Sequence, residues 1–186
     1  DYLNNENPNP KRELEKLNKE NWERRLSQAR FHAYQGQDLL ERAAHRIREE
    51  NAPTEITQKD ILQLYKESRT PEGKKVLNKL SPEVQKFAQH IFNEINHGEV
   101  DVRDAYNELK NLFNEAYAVA ERTKNNEEIK KLNSYREDIA PKIKQEHLND
   151  PEKLAELAEE VTKGIKLLSS IKPPEVYRPL NDFAID

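Results

Sequence analysis

The sequence predicts an all-α fold: an elongated bundle of about six or seven helices, with a very long N-terminal helix and an extended C-terminal tail. Three observations predict it. Apolar residues recur at alternating spacings of three and four along most of the chain, the signature of amphipathic helices. Asn9-Pro10, Thr70-Pro71, Ser81-Pro82 and Asp150-Pro151 each place a capping side chain before a proline. Proline fits the first helical turn because the N–H it lacks had no partner there. Only 4 glycines stand in 186 residues, too few for a turn-rich β architecture.

Residues 1–9 are polar and Asn-rich and are expected to form a loop, with a helical domain over 10–172 and the tail over 173–186. From Pro10 onward, Trp22, Leu26, Ala29, Ala33, Gly36, Leu40, Ala43 or Ala44, and Ile47 form one apolar stripe. No proline interrupts residues 11–52, so this helix runs to Asn51-Ala52-Pro53. Gly36 costs it about 1 kcal/mol relative to Ala and marks a bend or a close helix crossing. Thr57, with Asp60 three residues on, caps a short helix bearing Ile61, Leu62, Leu64 and Tyr65. Thr70-Pro71 and Ser81-Pro82 open the next two. The second carries Val84, Phe87, Ala88, Ile91, Phe92 and Ile95, and Gly98 is expected to stop it. Asp101 is then expected to cap a core helix with Ala105, Leu109, Leu112, Phe113, Ala116 and Ala120. Asn125-Asn126 breaks that helix. A more polar one follows, with Ile129, Leu132, Tyr135 and Ile139, kinked or ended by Pro141. Asp150-Pro151 starts the last helix, and Pro173-Pro174 closes it.

Composition narrows the function. Charged residues make up 35% of the chain and apolar residues 34%, so the core is thin. The 31 basic and 35 acidic residues are interspersed, and the net charge is −4. No long-range field therefore favours nucleic acid or an anionic membrane. The chain has no cysteine, which excludes disulfides, thiolate metal sites and cysteine nucleophiles. No apolar run approaches the roughly 20 residues of a membrane span, and no signal-peptide core is visible. We expect a cytoplasmic protein.

His90, Glu94 and His97 fall at i, i+4 and i+7, and Glu94 to His97 form a Glu-x-x-His. Di-iron bundles use that unit because i and i+3 side chains reach one metal. They need a second unit, and none is present. With Phe87, Ile91 and Ile95 defining the buried side, these three candidate metal ligands are expected to face solvent. His32, His45 and His147 each stand alone. The serines lack a Gly-rich elbow, and Gly73 beside Lys74 and Lys75 has no P-loop pattern. The arginines of the first helix, among them Arg24, Arg25, Arg42 and Arg46, alternate with glutamates and read as a salt-bridged solvent face. Trp22, Phe31 and Tyr34 read as packing anchors. No catalytic residue and no cofactor is assigned.

The chain begins at Asp1 without a methionine, and its last residues turn apolar, so we expect a segment of a longer protein. Three stretches carry a resemblance: Leu17-Asn18-Lys19-Glu20-Asn21-Trp22, the run from Tyr106 to Tyr117, and the tail from Pro173 through Ala184. Together they resemble the helical insertion of large prokaryotic proteins, many of them archaeal, built on an endonuclease IV or xylose isomerase-like TIM barrel. The resemblance spans most of residues 14–186. It implies that the Pro-Pro segment leads back into a barrel whose metal ligands lie at the C-terminal ends of its strands. None of those strands is in this sequence, so no metal or catalytic residue is carried over. The resemblance makes this chain a non-catalytic helical accessory domain. Its partner would be the rest of the parent or another protein, through a substrate-mouth cover or a homodimer contact. Tyr177, Phe183 and Ile185 are the candidate interaction residues. A stand-alone helical binding module is the alternative, and a helical metal-dependent enzyme is the third reading.

Overall fold

The computed structural model describes residues 10–48, 58–143, 150–171 and 173. The described residues form six α-helices and no strand: α1 (Pro10–Arg48), α2 (Gln58–Glu67), α3 (Pro71–Asn78), α4 (Pro82–Arg122), α5 (Asn126–Ile139) and α6 (Pro151–Ser169). A 3-10 turn at Ala140–Lys142 follows α5, where Pro141 removes the N–H that would continue the helix. At about 1.5 Å per residue, α1 spans about 58 Å and α4 about 61 Å.

Three of the caps read from the sequence are in place. Thr70 Oγ1 accepts from the Gly73 N–H at 3.0 Å, Ser81 Oγ from Val84 at 3.4 Å, and Asp150 Oδ1 from Glu152 at 2.9 Å. Each satisfies one of the orphan donors of a first turn. Asn125 also caps α5, its Oδ1 accepting from the Glu128 N–H at 3.2 Å. The stop of α4 lies just before Asn125. Lys124 adopts φ 55°, the Lys124 N–H donates to Glu121 O at 3.2 Å, and the Asn125 N–H donates to Ala120 O at 2.9 Å. That is a Schellman closure with lysine where glycine is usual.

Helices α1, α4 and α6 form the frame. Arg25 meets Glu108 and Glu115, Gly36 meets Gly98 and Val102, and Arg46 meets Glu94, so α4 runs antiparallel to α1. Arg30 meets Ser169 and Arg48 meets Glu152, so α6 does too. The stripe from Trp22 to Ile47 is buried against both. Helix α5 lies on the far side of α4, its Tyr135 ring stacked on Phe113 at 5.2 Å and its hydroxyl donating to Glu160 O on α6. Helix α2 joins α4 through Tyr65, whose ring meets Phe92 at 5.6 Å.

One boundary is corrected. Gly98 does not stop a helix and Asp101 does not cap one: α4 runs unbroken from Pro82 to Arg122. Gly98 is buried where α4 crosses α1. A Cβ there would lie 2.7 Å from Leu40 Cγ and 3.0 Å from Gly36 O. A Cβ on Gly36 would lie 2.7 Å from Val102 Cγ2 and 2.9 Å from Gly98 O. The pair is the close crossing, and the packing it permits outweighs the helix penalty of glycine. Asp101 turns its carboxylate to α1 instead, with Oδ1 3.1 Å from His32 Nδ1. Asn9, Thr57, Pro174 and the candidate interaction residues Tyr177, Phe183 and Ile185 lie outside the described residues.

Candidate functional site

The proposed metal ligands do not converge. His90 and His97 are exposed, and His97 Nδ1 lies 2.9 Å from the carbonyl of Asn93, one turn back. Glu94 is corrected: it does not face solvent. Its side chain is 13% exposed and lies under α1, Oε1 3.1 Å from Arg46 Nη1 and 4.0 Å from His90 Nε2. At about 100° per residue, Glu94 sits roughly 40–60° around α4 from the two histidines, and that rotation carries it to the α1 seam while they stay outside. Among the described residues no three His, Cys, Asp or Glu side chains gather as a metal set would. Among them, too, no helix is long and apolar enough to cross a membrane.

The arginines of α1 divide by face. Arg25 and Arg46 clamp α4. Arg25 Nε donates to Glu108 Oε1 at 2.7 Å and Nη1 to Glu115 Oε2 at 2.8 Å. Burial works against the Arg25 charge, but the hydrogen bond to Glu108 and the charge of Glu115 offset it, and its pKa stands above the ordinary value. Arg24 and Arg42 point away from the bundle and bond within α1, to Asn21 at 2.6 Å and Asp38 at 2.9 Å. The salt-bridged surface read from the sequence is there, and half of it is an interhelical fastening.

Described residues line several clefts, three of which bear on function. Between α4 and α5, Tyr106, Phe113, Tyr135 and Ile139 line an apolar cleft of about 280 Å³ under Lys110 and Arg136. Burial, then the nearby Glu160 charge, pushes the Tyr135 hydroxyl well above the usual tyrosine range, so it is a fixed donor and not a base. Between α1 and α6, a polar cleft of about 490 Å³ is lined by Glu41, Arg48, Glu152, Glu156 and Glu159. Nearer the start of α1, a cleft of about 350 Å³ lies beside Trp22, Arg30 and Ile171, with the buried Trp22 Nε1 unpaired.

The outward face of α1 is different. Trp22 packs in the core as read from the sequence, at 4% exposure. Phe31 and Tyr34 are corrected: they are not packing anchors but stand at 63% and 49% exposure. The geometry explains why. Nine residues from Phe31, at about 100° per residue, lies Leu40 on the opposite side of the helix, and Leu40 is fully buried between α1 and α4. The edge of Phe31 meets the His32 ring at 5.9 Å, so the aromatic ridge borders the His32–Asp101 contact. Sequence reasoning misses this face because an aromatic residue on a helix reads as core until its angle to the apolar stripe is fixed. Comparison with family models, curated proteins and solved structures finds no match to this chain.

Proposed function

We propose that this chain is a helical accessory domain that acts by holding another protein surface against the outward face of α1. One observation carries the reading: Phe31 and Tyr34 are exposed one turn apart on a helix whose opposite face is wholly committed to the bundle. Single exposed apolar residues are ordinary on soluble proteins. Two aromatic side chains on one ridge, rimmed by charge, match the composition of binding surfaces, where a few large rigid side chains carry most of the affinity. The resemblance to helical insertions of TIM-barrel proteins supports the same role, with the barrel as the partner in that case.

Photo-crosslinking tests it. A photoreactive residue replaces Phe31 in the full reading frame, expressed in its own cells, and a second replaces Lys130 on exposed α5 as control. The expected result is a defined protein adduct, or a defined intramolecular link to a barrel, at position 31 and not at 130. Equal labelling at the two positions, or none at either, overturns the proposal.

A further inference from the structure

The charges flanking Phe31 are arranged as a mirror. Seven residues before it stands Arg24 and seven after it Asp38; eleven before stands Glu20 and eleven after Arg42. All five are exposed, and at 100° per residue they fall within an arc of about 40° on α1. They form a single narrow ridge, opposite the buried stripe.

We infer that the partner on this ridge is a second copy of the same chain, docked with its α1 antiparallel and the two-fold axis passing at Phe31. This rests on the proposed function and names its occupant. In that arrangement a residue before Phe31 faces the residue equally far after it on the other copy. Arg24 then meets Asp38 and Glu20 meets Arg42, and symmetry repeats both pairs, giving four reciprocal ion pairs around two Phe31 rings. The parallel, in-register alternative sets Arg24 on Arg24, Asp38 on Asp38 and Glu20 on Glu20, so the charge order selects the antiparallel form by repelling the other. The heptad spacing of Arg24, Phe31 and Asp38 drifts only about 20° around the helix per step, so the three stay within one seam that follows a slight left-handed wrap of the two helices. Within one chain Asp38 already pairs with Arg42 at 2.9 Å, but both side chains are more than half exposed. They can therefore add a partner across the axis without giving up a buried contact. Two aromatic anchors and a rim of exposed pairs make a weak dimer, strengthened at low ionic strength.

Sedimentation velocity on the purified chain, at protein concentrations up to roughly 500 µM and low salt, gives the test. The expected result is a concentration-dependent dimer that dissociates as salt is added. Arg24→Asp alone and Asp38→Arg alone should each weaken it about tenfold or more, because every rung they touch becomes like-charged. Mixed together, the two variants should form a heterodimer. The aspartate introduced at position 24 of one chain then faces the arginine introduced at position 38 of the other. On the second rung, the unchanged Asp38 of the first chain faces the unchanged Arg24 of the second. That rescue cannot arise from misfolding of either variant. A wild-type chain that stays monomeric over the whole range overturns the inference, and so does a dimer that both single variants leave unchanged. Monomeric protein with a specific adduct at position 31 to a different protein ends the self-pairing and leaves the proposed function standing. Monomeric protein without a specific adduct ends both.

Discussion

At the scale of single residues, two glycines set how closely α1 and α4 can cross. Gly98→Ala and Gly36→Ala each gain about 1 kcal/mol of helix propensity. Each also drives a methyl group to 2.7 Å from the facing helix, with a backbone oxygen at 3.0 Å or less. A close helix crossing cannot yield to that without the two helices parting. We expect net losses of about 1–3 kcal/mol by urea unfolding, the usual range for overpacking. A gain in stability would show that the crossing is looser than described. Phe31→Glu gives the opposite case. The side chain touches little of its own bundle, so the unfolding free energy should stay within about 0.5 kcal/mol of wild type, while any contact made by the ridge is lost. Gly36 is legible in the sequence as a crossing position, because it falls in register with the apolar stripe. Gly98 reads there as a stop, since sequence carries the local cost of glycine but not the neighbour that requires it.

At the scale of elements, the four capped starts Thr70, Ser81, Asn125 and Asp150 show how local chemistry divides this chain. Three of them are readable from a capping residue followed by proline. Asn125 reads as a breaker, because its second role becomes visible only once Lys124 is known to turn the chain. Lys124 holds φ 55°, a region that costs a side-chain-bearing residue about 1 kcal/mol. Lys124→Gly should therefore stabilise the protein by about 0.5–1 kcal/mol, read as a rise in the urea midpoint. No change would mean that the left-handed turn carries no strain. Hydrogen exchange tests the continuity of α4. Amides from Ile95 through Val102 should be as protected as those on either side, because the α1–α4 crossing is at its tightest there. Two protected blocks separated by a fast-exchanging gap at Gly98 would restore the two-helix reading.

At the scale of the whole molecule, charge sets the response to pH. Glu160 on α6 collects Lys142 at 2.9 Å and Lys163 at 3.0 Å. Burial alone would raise its pKa, but the hydrogen bonds from the two lysines outweigh this and hold it below the ordinary glutamate value. A carboxyl depressed on folding adds stability above its unfolded pKa, and that stability is lost as pH falls through the folded value. Glu160→Gln should cost about 1 kcal/mol or less at neutral pH, since both lysines are half exposed. The gap to wild type should close as the solution is acidified below the ordinary glutamate range, in paired urea curves. A gap that persists there would assign the loss to packing. The all-α architecture is legible because periodicity and caps are local signals. The outward ridge is legible only once the half-turn offset of Phe31 from the apolar stripe is drawn, because an aromatic residue on a helix otherwise reads as core. The Gly36–Gly98 crossing bears on one further matter. A slip of α1 by one turn, about 5.4 Å, would bring His32 or Leu40 into the space that only Gly36 fits. The bundle therefore has no neighbouring register to slide into. A pull on one end of α1 would be shared by the frame along its length of about 58 Å, which makes the helix a strut of the bundle.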